Sequence, residues 1–245
     1  MMNKSLIIFS REWAVTTALA TYLAPAYSRR VTAVFGLVPL VRILQEQPHS
    51  PVVLGLRPHE HVADLYRLQT LLAGRAVLFV GRCFYWTDYR LPEWLGLVQF
   101  RFCSWDAMQD PFSRKITLRR FRQPAAVPED DNQTEKSESP LISTMTEIQI
   151  LARANRWLYR KLSACGGLTG YEIRVLWLMT EGLKGNMSSR TLSIHKNNGL
   201  YKLGMTKHLL NLFRGVKVRP ELQAELPAQE DVAGNSKLLR REAGR

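Results

Sequence analysis

The sequence is poor in the residues from which covalent staples and metal centres are built. It holds three cysteines and five histidines in 245 residues. Cys83, Cys103 and Cys165 are widely separated, with no CxxC pair and no cysteine–histidine cluster. That spacing argues against a disulfide framework or a zinc site and for packing thiols in a reducing compartment. Long apolar runs are missing too, since no stretch approaches the length that spans a bilayer. The apolar segment after Lys4 is broken by Arg11 and Glu12 just past Phe9, where a secretory signal would continue. The expected location is therefore cytoplasmic, with no membrane partner. Acidic residues are also scarce: 21 Asp and Glu stand against 34 Lys and Arg, a net charge of +13. Such a surplus favours a polyanionic partner, nucleic acid among others.

What is present divides the chain in two. Residues 122–145 (RQPAAVPEDDNQTEKSESPLISTM) combine Pro, Ser, Asp and Glu with almost nothing to bury, and read as a flexible linker. Net charge follows the same boundaries: +7 over 1–121, −3 over the linker, +8 over 146–215 and +1 over 216–245. The last stretch, 216–245, reads as a polar, disordered tail. Before the linker, short apolar runs at 5–9, 30–36, 51–56, 76–81 and 96–102 alternate with helical patterns at 13–24, 38–47, 61–73 and 106–119. Continuous apolar strands separated by amphipathic helices predict a parallel sheet covered on both faces. Residues 1–121 are thus expected to form an α/β doubly wound, flavodoxin-like domain. Segment 84–95 carries Pro92 and is expected to be an irregular loop in place of a fourth helix.

In size and order this domain resembles the receiver domain of response regulators. The resemblance implies an acidic pair after strand one, a phosphoacceptor Asp ending strand three, a Ser/Thr after strand four and a Lys after strand five. The sequence has Ser10-Arg11-Glu12 at the first place and Gly55 at the second. Strands four and five end in Val80-Gly81-Arg82 and Cys103-Ser104-Trp105. Magnesium needs two or more oxygens and phosphotransfer needs a carboxylate nucleophile, so the expectation is a pseudo-receiver outside control by phosphorylation. No catalytic set is visible, and neither enzyme activity, cofactor nor metal is expected. His59 and His61 flank Glu60 near a strand end, but no further ligands are suggested nearby, so a structural or solvated role is expected. Phe84, Tyr85, Trp86, Tyr89 and Trp94 lack the interleaved Lys and Arg of a base-stacking platform and read as core or protein contact.

The specific signal lies after the linker. Leu168-Thr169 with Glu172, Val175 and Leu176 is followed by Glu181-Gly182-Leu183, then by Met187-Ser188-Ser189-Arg190-Thr191-Leu192-Ser193 with His195-Lys196, and by Tyr201-Lys202-Leu203-Gly204. Thr169 and Glu172 form a capping box, and Gly182 stops the helix they open. Ser188 or Ser189 caps a second helix, 189–203, with Leu192, His195, Gly199, Leu200 and Leu203 on its buried side. Over about 50 residues these two motifs resemble the DNA-binding domain of the LuxR/FixJ family. The resemblance implies a small all-α helix-turn-helix domain over 146–215, whose helix 189–203 reads the major groove of double-stranded DNA. Ser193, Ile194 and Asn197 then face base edges, while Arg190, Thr191, Lys196, Lys202 and Lys207 complete the contact set. Residues 206–215 match the family's fourth helix, commonly a dimer contact. Residues 146–163 add a basic amphipathic helix with Ile148, Leu151, Leu158 and Leu162 on or near one face.

One departure from the family pattern stands out. Only Leu183-Lys184-Gly185-Asn186 separate Gly182 from Met187, where the family places a further helix, so roughly two turns are missing. The overall expectation is a bacterial transcription regulator similar to enterobacterial accessory regulators of capsule synthesis. It binds DNA as a homodimer, or as a heterodimer with a response-regulator-type protein. The alternative is a co-regulator or antagonist that pairs with a true regulator without touching DNA.

Overall fold

The computed structural model describes residues 5–27, 30–122, 145–164 and 167–224. The linker reading for 122–145 therefore falls almost wholly outside the described residues, as does the tail beyond 224. Five parallel strands, β1 (Leu6–Phe9), β2 (Val31–Val34), β3 (Val52–Leu54), β4 (Ala76–Gly81) and β5 (Gln99–Ser104), form one sheet in the order β2-β1-β3-β4-β5. This is the flavodoxin-like winding expected from the alternation of apolar runs. Every residue of β1 is inaccessible to solvent, as a strand covered on both faces requires. On one face, α2 (Leu37–Glu46) and α3 (Val62–Leu72) bury Leu40, Leu44, Leu65, Leu68 and Leu72 against Ile7, Phe9, Leu54 and Phe79. On the other, α1 (Trp13–Leu23) contributes Leu19 and Leu23 against Ile8, Val53 and Leu78. Two helices take the place of the single one expected over 106–119: α5 (Trp105–Gln109) and α6 (Pro111–Arg122). The break falls at Asp110, whose extended backbone leads into Pro111, a residue suited to a helix start.

The segment 84–95 is helical, contrary to the sequence expectation. Helix α4 (Trp86–Trp94) tolerates Pro92 because its start is held strongly. The Asp88 carboxylate accepts from the backbone N–H groups of Tyr85 (2.9 Å) and His59 (2.9 Å), and lies 2.8 Å from His59 Nδ1. Asp88 and His59 are both fully buried, so this paired cluster ties α4 to the 3-10 turn Pro58–Glu60 that follows β3. The bonds sit beyond the reach of sequence periodicity, since His59 and Asp88 are far apart along the chain.

After the linker come α7 (Glu147–Ser163), α8 (Gly170–Thr180), α9 (Ser189–Lys202) and α10 (Leu209–Gly215). They share one apolar core with the first domain. Ile150, Leu151, Ala154, Leu158 and Leu162 of α7 pack in a cluster that holds Val62, Ala63, Tyr85, Trp86 and Leu91 on one side and Leu176, Leu200, Met205 and Leu212 on the other. Ile148, read from sequence as on or near the apolar face with Leu151, Leu158 and Leu162, is 73% exposed, and Ile150 takes the inward position. The tail boundary at 216 also moves. Val216 and Val218 are fully buried in the same core, and a 3-10 turn follows at Pro220–Leu222. Gln223 accepts from the Val62 N–H (2.9 Å) and donates to the His59 carbonyl (2.9 Å), while the Ala224 N–H donates to the Glu60 carbonyl (2.7 Å). Residues 216–224 therefore strap the helical segment to the α/β domain. Among the described residues no helix is long and apolar enough to cross a membrane.

Candidate nucleic-acid interface

Helix α8 begins where the capping box predicted. The Thr169 hydroxyl accepts from the Glu172 N–H (3.2 Å) and a Glu172 carboxylate oxygen accepts from the Thr169 N–H (2.7 Å). The helix ends in a Schellman motif: Leu183 N–H bonds the Leu178 carbonyl (3.0 Å) and Gly182 N–H the Met179 carbonyl (3.1 Å), with Gly182 at φ 73°. From Leu183 to Met187 the chain forms turns and no helix, so the expected shortening is a property of the fold. Ser188 then caps α9, its hydroxyl accepting from the Thr191 N–H at 3.2 Å.

Helix α9 lies on α8 through Leu192, Gly199 and Leu200, all buried. Gly199 is the point of closest approach: a Cβ there would stand 2.8 Å from Leu176 Cδ1 and 3.1 Å from Leu176 Cγ. The opposite side of α9 is open. Arg190, Ser193 and Ile194 are exposed, as the contact reading requires, and Lys207 is exposed beyond the helix. Lys196 is half-buried.

Three of the sequence-derived contacts sit differently. Lys202 does not project toward a phosphate; its ammonium holds the buried Glu172 carboxylate at 2.8 and 2.9 Å. Burial alone would raise the Glu172 carboxyl, but Lys202 and the Thr169 N–H together bring it below the usual value. The hydroxyl of Thr191 is engaged with the Ser188 cap at 2.8 Å. Asn197 is half-buried, and its Oδ1 is enclosed without a hydrogen-bond partner; the exposed member of the asparagine pair is Asn198. One residue on a helix is about 100° of rotation, enough to exchange the two faces. His195 is half-buried and stacks on Tyr171 at 5.7 Å between ring centroids, 21° between planes.

Sequence reasoning missed several exposed side chains of this surface. Tyr171 is 66% exposed on α8, Tyr201 is 83% exposed on α9, and Arg174 is exposed. A helical signal was available for Tyr201. Arg190, Ile194, Asn198 and Tyr201 recur at intervals of four, four and three and form one outward stripe of α9.

At the carboxyl end of β3 the space around Gly55 is closed by side chains. A Cβ on Gly55 would stand 2.9 Å from Leu19 Cδ1 and from Val15 Cγ1, and 3.0 Å from Ser10 Cβ. Ser10 donates to the Gly55 carbonyl at 2.7 Å, and Thr16 accepts from the Ser10 N–H at 3.0 Å. Val15 and Leu19 of α1, with Ser10, thus crowd this position, and any larger side chain would have to displace them. The two histidines near that edge are sealed as well: His59 is fully buried and His61 is 5% exposed. Their neighbours form no group of three or more metal-ligating side chains among the described residues. The aromatic segment divides between two cores. Tyr85 and Trp86 join the core shared with the helical segment, while Phe84 and Tyr89 pack edge-on against Phe102 and Trp94 stacks on Tyr66.

Two solved structures match the chain at low identity over most of its length. Full-length FixJ from B. japonicum is 18% identical, at a TM-score of 0.34 over 87% of this chain and 95% of that one. The RcsB response regulator of Salmonella typhimurium is 15% identical, at a TM-score of 0.40 over 87% of this chain and 97% of that one. No family model and no curated protein matches the chain.

Proposed function

We propose that the chain is a DNA-binding transcription regulator in which α9 enters the major groove. The observation that carries this reading is the outward stripe of α9, Arg190, Ser193, Ile194 and Asn198, standing free of the rest of the fold while the inward stripe is locked on α8. A helix held rigidly on one side and polar, basic and solvent-facing on the other meets the geometric demand of groove reading. Arg190 and Lys207 supply phosphate contacts; Ser193, Asn198 and the methyl-seeking Ile194 face base edges. Lys196 flanks them from its half-buried position. Lys202 acts from within the domain, its ammonium tying α9 to Glu172 at the start of α8.

The first domain works in this reading as a scaffold outside phosphorylation control, and no reaction is assigned to it. The filled space around Gly55 supports that view, because a carboxylate there has neither room nor magnesium ligands. Gly55→Asp is expected to destabilise the protein by about 1–3 kcal/mol through overpacking and to take up no phosphoryl group from a small phosphodonor. Melting temperature and phosphoprotein mass measure the two effects.

Association with a second regulator fits the exposed apolar residues of α10, Leu209, Leu210 and Phe213. The specific observation that favours the alternative, a co-regulator that pairs without touching DNA, is the helix-free segment 183–187, which leaves α8 as the main brace of α9. Crosslinking of bound DNA in cells separates the two. Discrete sites that are lost in Ser193→Ala/Asn198→Ala support groove reading, at about 1–3 kcal/mol per lost base contact. Sites unchanged by these substitutions assign the reading to a partner, and an absence of sites selects the co-regulator.

A further inference from the structure

Helix α7 has two sides of opposite character. One is sunk in the shared core through Ile150, Leu151, Ala154, Leu158 and Leu162. The other presents Arg153, Arg156 and Arg160, all exposed. With Met145, Gln149 and Ala152 these arginines line an open trough of about 460 Å³ along the helix. Basic residues elsewhere near α7 are already engaged: Lys161 lies 3.5 Å from Glu93 and over the Trp157 ring, and Lys217 pairs with Glu181. The three arginines are different, for among the described residues none of them forms an ion pair.

We propose that the Arg153–Arg156–Arg160 stripe of α7 is a second DNA-contacting surface that binds backbone phosphates of the duplex. The charge is complementary, concentrated and unspent on carboxylates. The spacing fits as well. Seven residues of helix separate Arg153 from Arg160, a rise of about 10 Å. Three nucleotide steps along one strand cover about the same axial length at 3.4 Å each. The stripe is also pre-positioned, because the buried side of α7 holds the helix against both domains and little backbone ordering remains to be done on binding. Phosphate contacts of this kind carry no sequence information and add salt-dependent affinity. The proposal rests on the reading of the protein as DNA-binding, but assigns the contact to a helix that takes no part in base reading.

The test compares the salt dependence of duplex binding for wild type, Arg153→Gln/Arg156→Gln/Arg160→Gln and the corresponding triple lysine variant, with each variant's melting temperature recorded. The duplexes are a site recovered from cells and a scrambled one. The expected result is that the slope of log K against log salt falls by about 2–3 in the glutamine variant, equally on both duplexes. Site preference is retained, and lysine restores the slope. A glutamine variant with an unchanged slope overturns the proposal and leaves the α9 reading standing. A lysine variant as defective as the glutamine variant also overturns it, because the loss then follows shape and not charge. A slope that falls in a protein with no site preference keeps the stripe and removes the α9 reading. Wild-type protein that binds neither duplex at low salt overturns both.

Discussion

At the scale of single residues, the buried polar groups between the two parts of the chain have the largest consequences. His61 lies beneath the 219–224 strap with its Nδ1 enclosed and unpartnered. Burial lowers its pKa from 6.5 to about 4, with Arg11, His59 and Arg57 adding in the same direction against a backbone bond to Ala224. The unfolded chain therefore binds more protons than the folded one between those values. The contribution of this group to stability is expected to be full above pH 6.5 and to be lost as the pH falls toward 4, by up to about 3 kcal/mol. A urea titration at pH 7.5 and pH 4.5 measures this loss, and His61→Gln is expected to flatten it. An equal loss in the variant assigns the acid sensitivity elsewhere. Glu172 acts in a lower window: its depressed carboxyl contributes above the ordinary value of 4.5 and is lost only as the pH falls through its folded value. Arg75 shows the structural use of a buried cation. Its guanidinium donates to the carbonyls of Leu44, Gln47, Ser50 and Leu71, satisfying helix-end acceptors that burial would otherwise leave bare.

At the scale of elements, the contact of α8 with α9 decides whether there is a reading head at all. Its tolerance is set at Gly199, which has Leu176 pressed against it. Gly199→Ala raises helix propensity by about 1 kcal/mol, an effect that acting alone would stabilise α9. Steric crowding against Leu176, itself fully buried, is expected to cost about 1–3 kcal/mol and to prevail. The predicted outcome is a lower melting temperature and weaker DNA binding, with partial recovery in Gly199→Ala/Leu176→Val as space is returned. A melting temperature raised by the single substitution would sink this account of the packing. Both helix starts were legible in the sequence, because Thr169 with Glu172 and Ser188 are local signals. The helix at 84–95 was not, because the residues that hold it, His59 and Asp88, meet only in the fold.

At the scale of the whole molecule, the two parts are joined by more than the linker. Helix α7 and the strap place Leu158, Leu162, Val216 and Val218 in a core that also contains Tyr85, Trp86 and Leu91. Each such side chain, fully buried, contributes about 1.5–3 kcal/mol. The Thr87 hydroxyl donates to the Arg214 carbonyl at 3.2 Å, and the Gln223 amide accepts from the Val62 N–H and donates to the His59 carbonyl, each at 2.9 Å. A protease site introduced between residues 130 and 136 is therefore expected to yield two fragments that co-elute on size exclusion and melt together. Separation of the fragments after cleavage would show that the shared core is too weak to hold them.

The amino-acid sequence alone determined the five strands of the first domain, the helices α1, α2 and α3 between them, the caps of α8 and α9 and the short, helix-free connection between those two helices. These follow from local chemistry: apolar runs of strand length, a side chain present or absent, a hydroxyl three residues ahead of a backbone N–H. Only the tertiary structure decided which asparagine faces outward, that Lys202 is spent on Glu172, that Val216 and Val218 belong to the core and that α7 unites two domains while exposing three arginines that form no ion pair among the described residues. Each of these depends on contacts between distant parts of the chain, where burial and charge pairing are set by what arrives from elsewhere and not by the neighbours in sequence.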